Sequence, residues 1–373
     1  MTDRVPAEAA GGRPGGGPER RRGPRTKLDR LFRTSLILVP FGVLGNLALS
    51  WFATDRSVWQ GLGGLPRHWL YVAIVIALVP WITNSLRILI WARFLERRMG
   101  FGDALRITVG AEISASVLPT STGSEVLRLG MLMQCGLSSG QAASVVTLGY
   151  LEDLVFFAVA LPVCVVLSRA WELPVIRSLA GRVDVGAPGV ALGAVAVVAA
   201  VALLWRLLLA GRLGRRGRHW SRRFAAKTRG RLRHTWRDFR GVYGRVIRHG
   251  KLRFALTLSI TALQWACRYS VATAFAYYLG YRVDPLLFFV LQWSIFTLML
   301  FIPTPGASGG AEAAFLLVYS ALLPGRVIGL VTAGWRFLTF YLPLALGSLM
   351  FAGMNLHAAR RRRAGGHFGR RSG

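Results

Sequence analysis

The sequence predicts an all-α, polytopic integral membrane protein. Three observations carry that expectation: long apolar blocks, basic residues gathered between them, and Pro/Gly breaks inside two of the blocks. Of 373 residues, 53% are hydrophobic and 17% charged. The apolar residues run in blocks instead of alternating with polar ones, whereas a soluble helix needs only an apolar stripe.

A hydrocarbon core about 30 Å thick takes roughly twenty apolar residues in helix. By that length Phe32–Phe52, Trp69–Trp91, Gln141–Leu167, Val190–Leu209, Phe254–Leu279 and Val327–Met354 read as full spans. Trp51, Trp69, Trp91 and Trp205 fall near span ends, where an interfacial belt would hold them. Two further apolar regions are broken. Asp103–Leu118 meets Pro119 and Gly123 before a short helix to about Cys135, and Leu286–Ile302 meets Pro303, Pro305 and Gly306 before Ala311–Leu323. Proline removes a backbone donor and disfavours helix in the residue before it, so each region reads as a re-entrant pair of half-helices. Non-helical backbone at membrane depth is tolerated only inside protein or beside a water-filled cavity.

The net charge of +31 would point to nucleic acid on a soluble chain. No aromatic platform or recognition motif accompanies it, so membrane lipids and not nucleic acid are the expected partners. The chain divides into a disordered basic arm (1–31), a transmembrane domain (32–354) holding a basic loop (211–251, from Arg212 to Lys251), and a basic tail (355–373). About six spans and two hairpins put both termini and the loop on one side, which the positive-inside rule makes cytoplasmic. The segments left outside, Ala53–His68, Ser168–Pro188 and Gly280–Pro285, carry far less charge. The arm is polar and Gly/Pro/Arg-rich, unlike a signal peptide. Arginine greatly outnumbers lysine and Ala, Gly and Val abound, which suits a GC-rich bacterial genome and hence a bacterial inner membrane. Cys135, Cys164 and Cys267 show no ligand spacing and read as free packing residues.

Chemistry is concentrated in the few ionisable residues within apolar sequence: Arg87, Glu112, Glu125, Arg128, Glu152, Asp153, Arg268, Glu312 and Arg336, with Asn84, Gln264 and Gln292 as polar neighbours. Each charge costs about 2.5–3.5 kcal/mol at a helix centre on insertion scales, so each needs a partner or a cavity. Glu125 and Arg128 are three apart, Gln264 and Arg268 four apart, and each pair shares a helix face. Glu125 and Glu312 follow a Pro/Gly break, where the helix dipole favours a carboxylate. The arginines can serve as interhelical clamps or as a bidentate site for a phosphate-bearing headgroup. Walker, HExxH and GxSxG motifs and acidic metal clusters are missing, so no cofactor or metal is expected and any catalysis would have to come from the intramembrane carboxylates.

The two broken regions also resemble each other. VLPTSTGSE (Val117–Glu125) precedes a span carrying Glu152 and Asp153, and FIPTPGASGGAE (Phe301–Glu312) precedes a span carrying Arg336. With the first hairpin entering from the cytoplasm and the second from outside, this is an inverted repeat of the transporter kind. PTPGASGGAE, Pro303–Glu312, with Gly306, Gly309 and Glu312 in place and Arg336 beyond, resembles the signature of the lysylphosphatidylglycerol synthase transmembrane, or flippase-like UPF0104, family. TSTGSEVLRL (Thr120–Leu129) and CGLSSGQA (Cys135–Ala142) are similar to that family's first Gly-Glu-Arg motif. Ala307 stands where the family usually has a second glycine, and Leu151-Glu152-Asp153 matches an Arg/Asp pattern only in part.

The resemblance spans roughly Phe32 to Met354 and implies the flippase-like part alone, without the aminoacyl-transferase domain, so that lysine transfer from tRNA is not expected. It implies moving or sequestering a polar lipid headgroup across the bilayer. Together with the ionisable residues, the expectation is translocation of a phospholipid or a polyprenyl-phosphate-linked lipid through a site drawn from Arg87, Glu125, Arg128, Glu152, Asp153, Gln264, Arg268, Pro303, Pro305, Gly306, Gly309, Glu312 and Arg336. Two other readings fit the same residues: a membrane-embedded subunit or enzyme of lipid or glycoconjugate synthesis, with enzymes of that kind as partners, and a small-solute secondary transporter. Oligomeric state is not encoded in any motif.

Overall fold

Arg67–Phe94 (α1) is apolar on nearly every face, as suits a helix with lipid on one side and protein on the other. Tyr71, Val75 and Ile82 lie exposed while Ala73, Trp81, Ile88 and Trp91 are buried. In the computed structural model, which describes residues 66–117, 121–170, 225–302 and 304–353 with 44, 45 and 48, every regular element is helical. The expected span Val190–Leu209, most of Phe32–Phe52, Trp51, Trp205, Pro119 and Pro303 lie outside the described residues.

The remaining helices are α2 (Phe101–Val117), α3 (Ser121–Gln134), α4 (Ser139–Ser168), α5 (Ala225–His249), α6 (Lys251–Tyr278), α7 (Pro285–Met299), α8 (Gly310–Tyr319) and α9 (Gly325–Gly353). Among the described residues α1, α4 and α9 are long and apolar enough to cross a membrane. Helix α6 equals α1 in length but carries Thr257, Thr261, Gln264 and Arg268 on its buried and half-buried faces. It packs antiparallel along α1, with Arg253 over the Phe94 ring at one end and Trp69 against Tyr277 at the other. Local signals set several boundaries. Ser138 and Gln141 form a reciprocal capping box at the start of α4, and Asp284 caps α7 with Pro285 in its first turn.

Both broken regions fold as hairpins. Gly110 of α2 lies against Met131 of α3, and Phe288 of α7 against Tyr319 of α8, pairings that require antiparallel legs. They enter from opposite ends of the bundle. The α2–α3 hairpin begins where α1 ends, and the α7–α8 hairpin where α6 ends, so their tips converge halfway along the bundle. Each hairpin has its own apolar core. Trp91, Ile107, Leu132, Leu148 and Val242 pack at one end, and Phe288, Phe315, Tyr319, Val331 and Trp335 at the other.

Two expectations need correction. The 211–251 segment is not a plain loop: from Ala225 to His249 it is a helix that passes through Gly250 directly into α6. Val242, Tyr243 and Val246 bury one face of α5 against the bundle, because its apolar residues recur at helical spacing between the arginines. Trp91 is no belt residue either. It is 1% exposed and donates its Nε1–H to Glu152, since a buried indole seeks an acceptor.

Candidate functional site

The ionisable residues sort into four groups, and their hydrogen-bond saturation separates them. Arg87 of α1 donates Nε to Glu152 at 2.7 Å, Nη1 to Gln264 at 3.3 Å and Nη2 to the Gly149 carbonyl at 2.6 Å, and its Nη1 forms an ion pair with Asp153 at 3.1 Å. Glu152 also accepts from Trp91 at 2.6 Å, Thr257 at 2.7 Å and Thr261 at 3.4 Å, while Asp153 accepts from Trp265 at 3.0 Å. Glu152 is 0% exposed and has three close donors, since the single proton of the Thr261 hydroxyl lies nearer the Thr257 carbonyl, at 2.8 Å. This network ties α1, α4 and α6 together and seals Glu152 inside the bundle.

The second group locks the α7–α8 turn. Arg336 of α9 donates Nε to Glu312 at 2.9 Å and Nη2 to the Gly306 carbonyl, and its guanidinium lies over the Phe340 ring at 4.2 Å. The other Glu312 oxygen accepts the Gly309 N–H at 2.8 Å. Gly306 and Gly309 have φ of 60° and 83°, and a Cβ on Gly306 would stand 2.2 Å from the Phe340 ring. Glycine is therefore required at Gly306 on both conformational and steric grounds. A π-turn at Phe337–Tyr341 inside α9 sets Phe340 in this place. Such turns recur at functional sites.

In the third group Arg268 and Glu112 face a cavity of about 310 Å³ between the hairpin tips. Arg268 Nη1 is 3.4 Å from Glu112, whose other oxygen accepts the Trp81 Nε1–H at 2.7 Å. Arg268 also lies between the Trp265 and Phe296 rings, at 5.8 and 5.3 Å. Both charged side chains remain about one third exposed, at 32% and 29%. Among the described residues Glu112 is the one hydrogen-bond acceptor of Arg268, so most of the guanidinium fork is available to the cavity. Ser116, Thr304, Gly306 and Thr339 add polar groups to a wall of Ile113, Phe296, Met299 and Phe340. Leu300 lines the mouth and is 73% exposed, so the cavity opens onto the outer apolar surface of the bundle.

The fourth group, Glu125 with Arg128 at 3.6 Å, lies on α3 beyond the first tip and outside the lining of that cavity. The face shared by Gln264 and Arg268 does not make them partners: Gln264 turns to Arg87 and Thr83, Arg268 to Glu112. Of the expected site residues the structure thus brings Arg268 and Gly306 to the cavity and Glu312 and Arg336 just behind its wall. Pro305 belongs to the same turn. Arg87, Glu152, Asp153 and Gln264 gather in the separate buried network. Glu112, Trp81, Ser116, Thr304 and Thr339 escaped the sequence-based site. Hydroxyl residues beside the breaks, and an indole nearly two turns before Arg87 on α1, were the available signals.

A helical membrane protein built on two opposed hairpins around a partly exposed ion pair is the class these features define. Residues 35–347 match the family described as lysylphosphatidylglycerol synthase TM region, and the chain belongs to that family. It is similar to a UPF0104 membrane protein of Archaeoglobus fulgidus, 23% identical over 309 residues, covering 81% of this chain and 88% of the relative.

Proposed function

We propose that the protein translocates a phospholipid or a polyprenyl-phosphate-linked lipid across a bacterial inner membrane, with the headgroup passing through the Glu112–Arg268 cavity. One observation supports the reading above the rest. Of the three arginines paired across helices, Arg268 alone keeps a side chain about one third exposed, against 5% for Arg87 and 2% for Arg336, and it does so beside an opening onto the apolar surface. A guanidinium with free donors in a partly desolvated cleft suits a phosphate. Acyl chains would stay in lipid along Leu298, Leu300 and Phe301, which are exposed beside the mouth. No protein group in the cavity has to perform covalent chemistry in this scheme. The full burial of Glu152 among three close donors supports treating the Arg87 network as the fixed frame.

The test is lipid transfer in vesicles containing the purified chain, read by quenching of a fluorescent short-chain phospholipid from outside. A hydrogen bond to a charged group contributes about 1.5–3 kcal/mol, so Arg268→Gln should slow transfer on the order of ten- to a hundredfold. Circular dichroism and elution volume should match the wild type. Transfer at the wild-type rate by a folded Arg268→Gln protein removes the cavity from the pathway, and no transfer above empty vesicles by the wild type removes the activity.

A further inference from the structure

Helix α5 is fixed to the bundle by specific contacts. Ser138 donates to Asp238 at 2.7 Å, Ser139 and Thr235 hydroxyls meet at 2.8 Å, and Tyr243 donates to Thr147 at 2.8 Å. Burial raises the Tyr243 phenol above its ordinary value and so keeps this donor protonated. With Val242, Tyr243 and Val246 turned inward, Arg237, Arg240, Arg245 and Arg248 are left exposed on the outward side. Asp238, the one carboxylate of α5, already accepts from Ser138 and lies 3.3 Å from His234.

The end of α1 continues this surface. Arg93, Arg97 and Arg98 surround a shallow depression with Glu96, and Arg253, over Phe94, joins the two patches. We infer that this basic end of the bundle is a docking surface for the headgroup phosphates of anionic phospholipids. Position argues for lipid over other polyanions. Only Gly250 separates α5 from α6, whose first turns expose Leu252 (84%) and Leu256 (51%). Trp236 and Ile247 stand exposed among the arginines, a mixture of apolar and basic side chains suited to contact with headgroups and the acyl boundary. Each arginine close to an anionic surface contributes about fivefold to binding. The surface holds resident lipid whether or not the cavity moves lipid, so the inference stands apart from the proposed translocation.

The experiment places the full chain in nanodiscs of phosphatidylcholine mixed with phosphatidylglycerol and counts the lipids that remain bound in native mass spectrometry. The wild type should retain phosphatidylglycerol well above its bulk fraction, and raised salt should abolish the excess. Arg240→Gln with Arg245→Gln and Arg248→Gln should bring retention down to the bulk ratio. Arg282→Gln with Arg326→Gln, exposed at the opposite end, should leave it unchanged. Equal enrichment in wild type and the triple variant overturns the inference. So does binding of a duplex oligonucleotide that anionic lipid fails to displace, which would mark a nucleic-acid surface.

Discussion

At the scale of single residues, the α7–α8 turn concentrates both strain and charge. Ala307 is buried with a φ of 54°, where a Cβ costs about 1–2 kcal/mol. Glycine there would add freedom to the unfolded chain worth about 0.4–1 kcal/mol, so the strain term wins. Ala307→Gly should stabilise the protein by roughly 0.5–1 kcal/mol, seen as a higher melting temperature in detergent. A lower one would mean that the alanine methyl packs better than its backbone is strained. The neighbouring pair behaves oppositely. Arg336 is 1% exposed and Glu312 8%, and removing one partner of a buried pair costs about 3–5 kcal/mol. Glu312→Gln and Arg336→Gln should each lower the melting temperature and slow lipid transfer, and the double variant should lose far less than the sum. Additive losses would show that the two side chains act separately.

Elements are joined by close approaches as much as by charge. A Cβ on Gly140 would stand 2.5 Å from the Thr235 carbonyl oxygen and 2.5 Å from the Asp238 Cβ, so α4 and α5 touch backbone to backbone. Small residues permit such contact where lipid provides no hydrophobic drive between helices. Gly140→Val should therefore lift α5 from α4 while the hairpins stay folded. Hydrogen exchange should quicken across Thr235–Val246 and remain slow in α1 and α9. Unchanged protection in α5 would show that the Ser138, Ser139 and Tyr243 hydrogen bonds hold the helix without close packing.

For the whole molecule the decisive property is direction. The α2–α3 hairpin starts from the end that carries Arg93, Arg97, Arg98, Arg245 and Lys251, and the α7–α8 hairpin from the end that carries Arg282 and Arg326. The positive-inside bias predicts that the first end is cytoplasmic. A single cysteine at Arg240 should resist a membrane-impermeant maleimide in intact cells and react after permeabilisation, and one at Arg326 should react in intact cells. The reverse pattern would invert the protein in the membrane.

Hydropathy and proline placement made α1, α4, α9 and both hairpins legible in the sequence, because span length and the loss of a backbone donor act locally. The Glu312–Arg336 contact was legible too, since two buried charges on helices joined by the short Pro324–Gly325 turn have few other partners. Which charges remain open to a ligand was not. Arg87 and Arg268 look alike as arginines in apolar helices, yet Arg87 meets Glu152, Asp153, Gln264 and a carbonyl, while Arg268 meets Glu112 alone among the described residues. The docking of α5 was hidden for a similar reason: its arginines dominate the composition, and Val242, Tyr243 and Val246 become an apolar face only once the segment is helical. The sequence by itself determined that the chain enters a membrane as helices with buried charge. Only the tertiary structure decided how each charge is satisfied, because donors and acceptors from helices far apart in sequence must converge in space before saturation has a meaning.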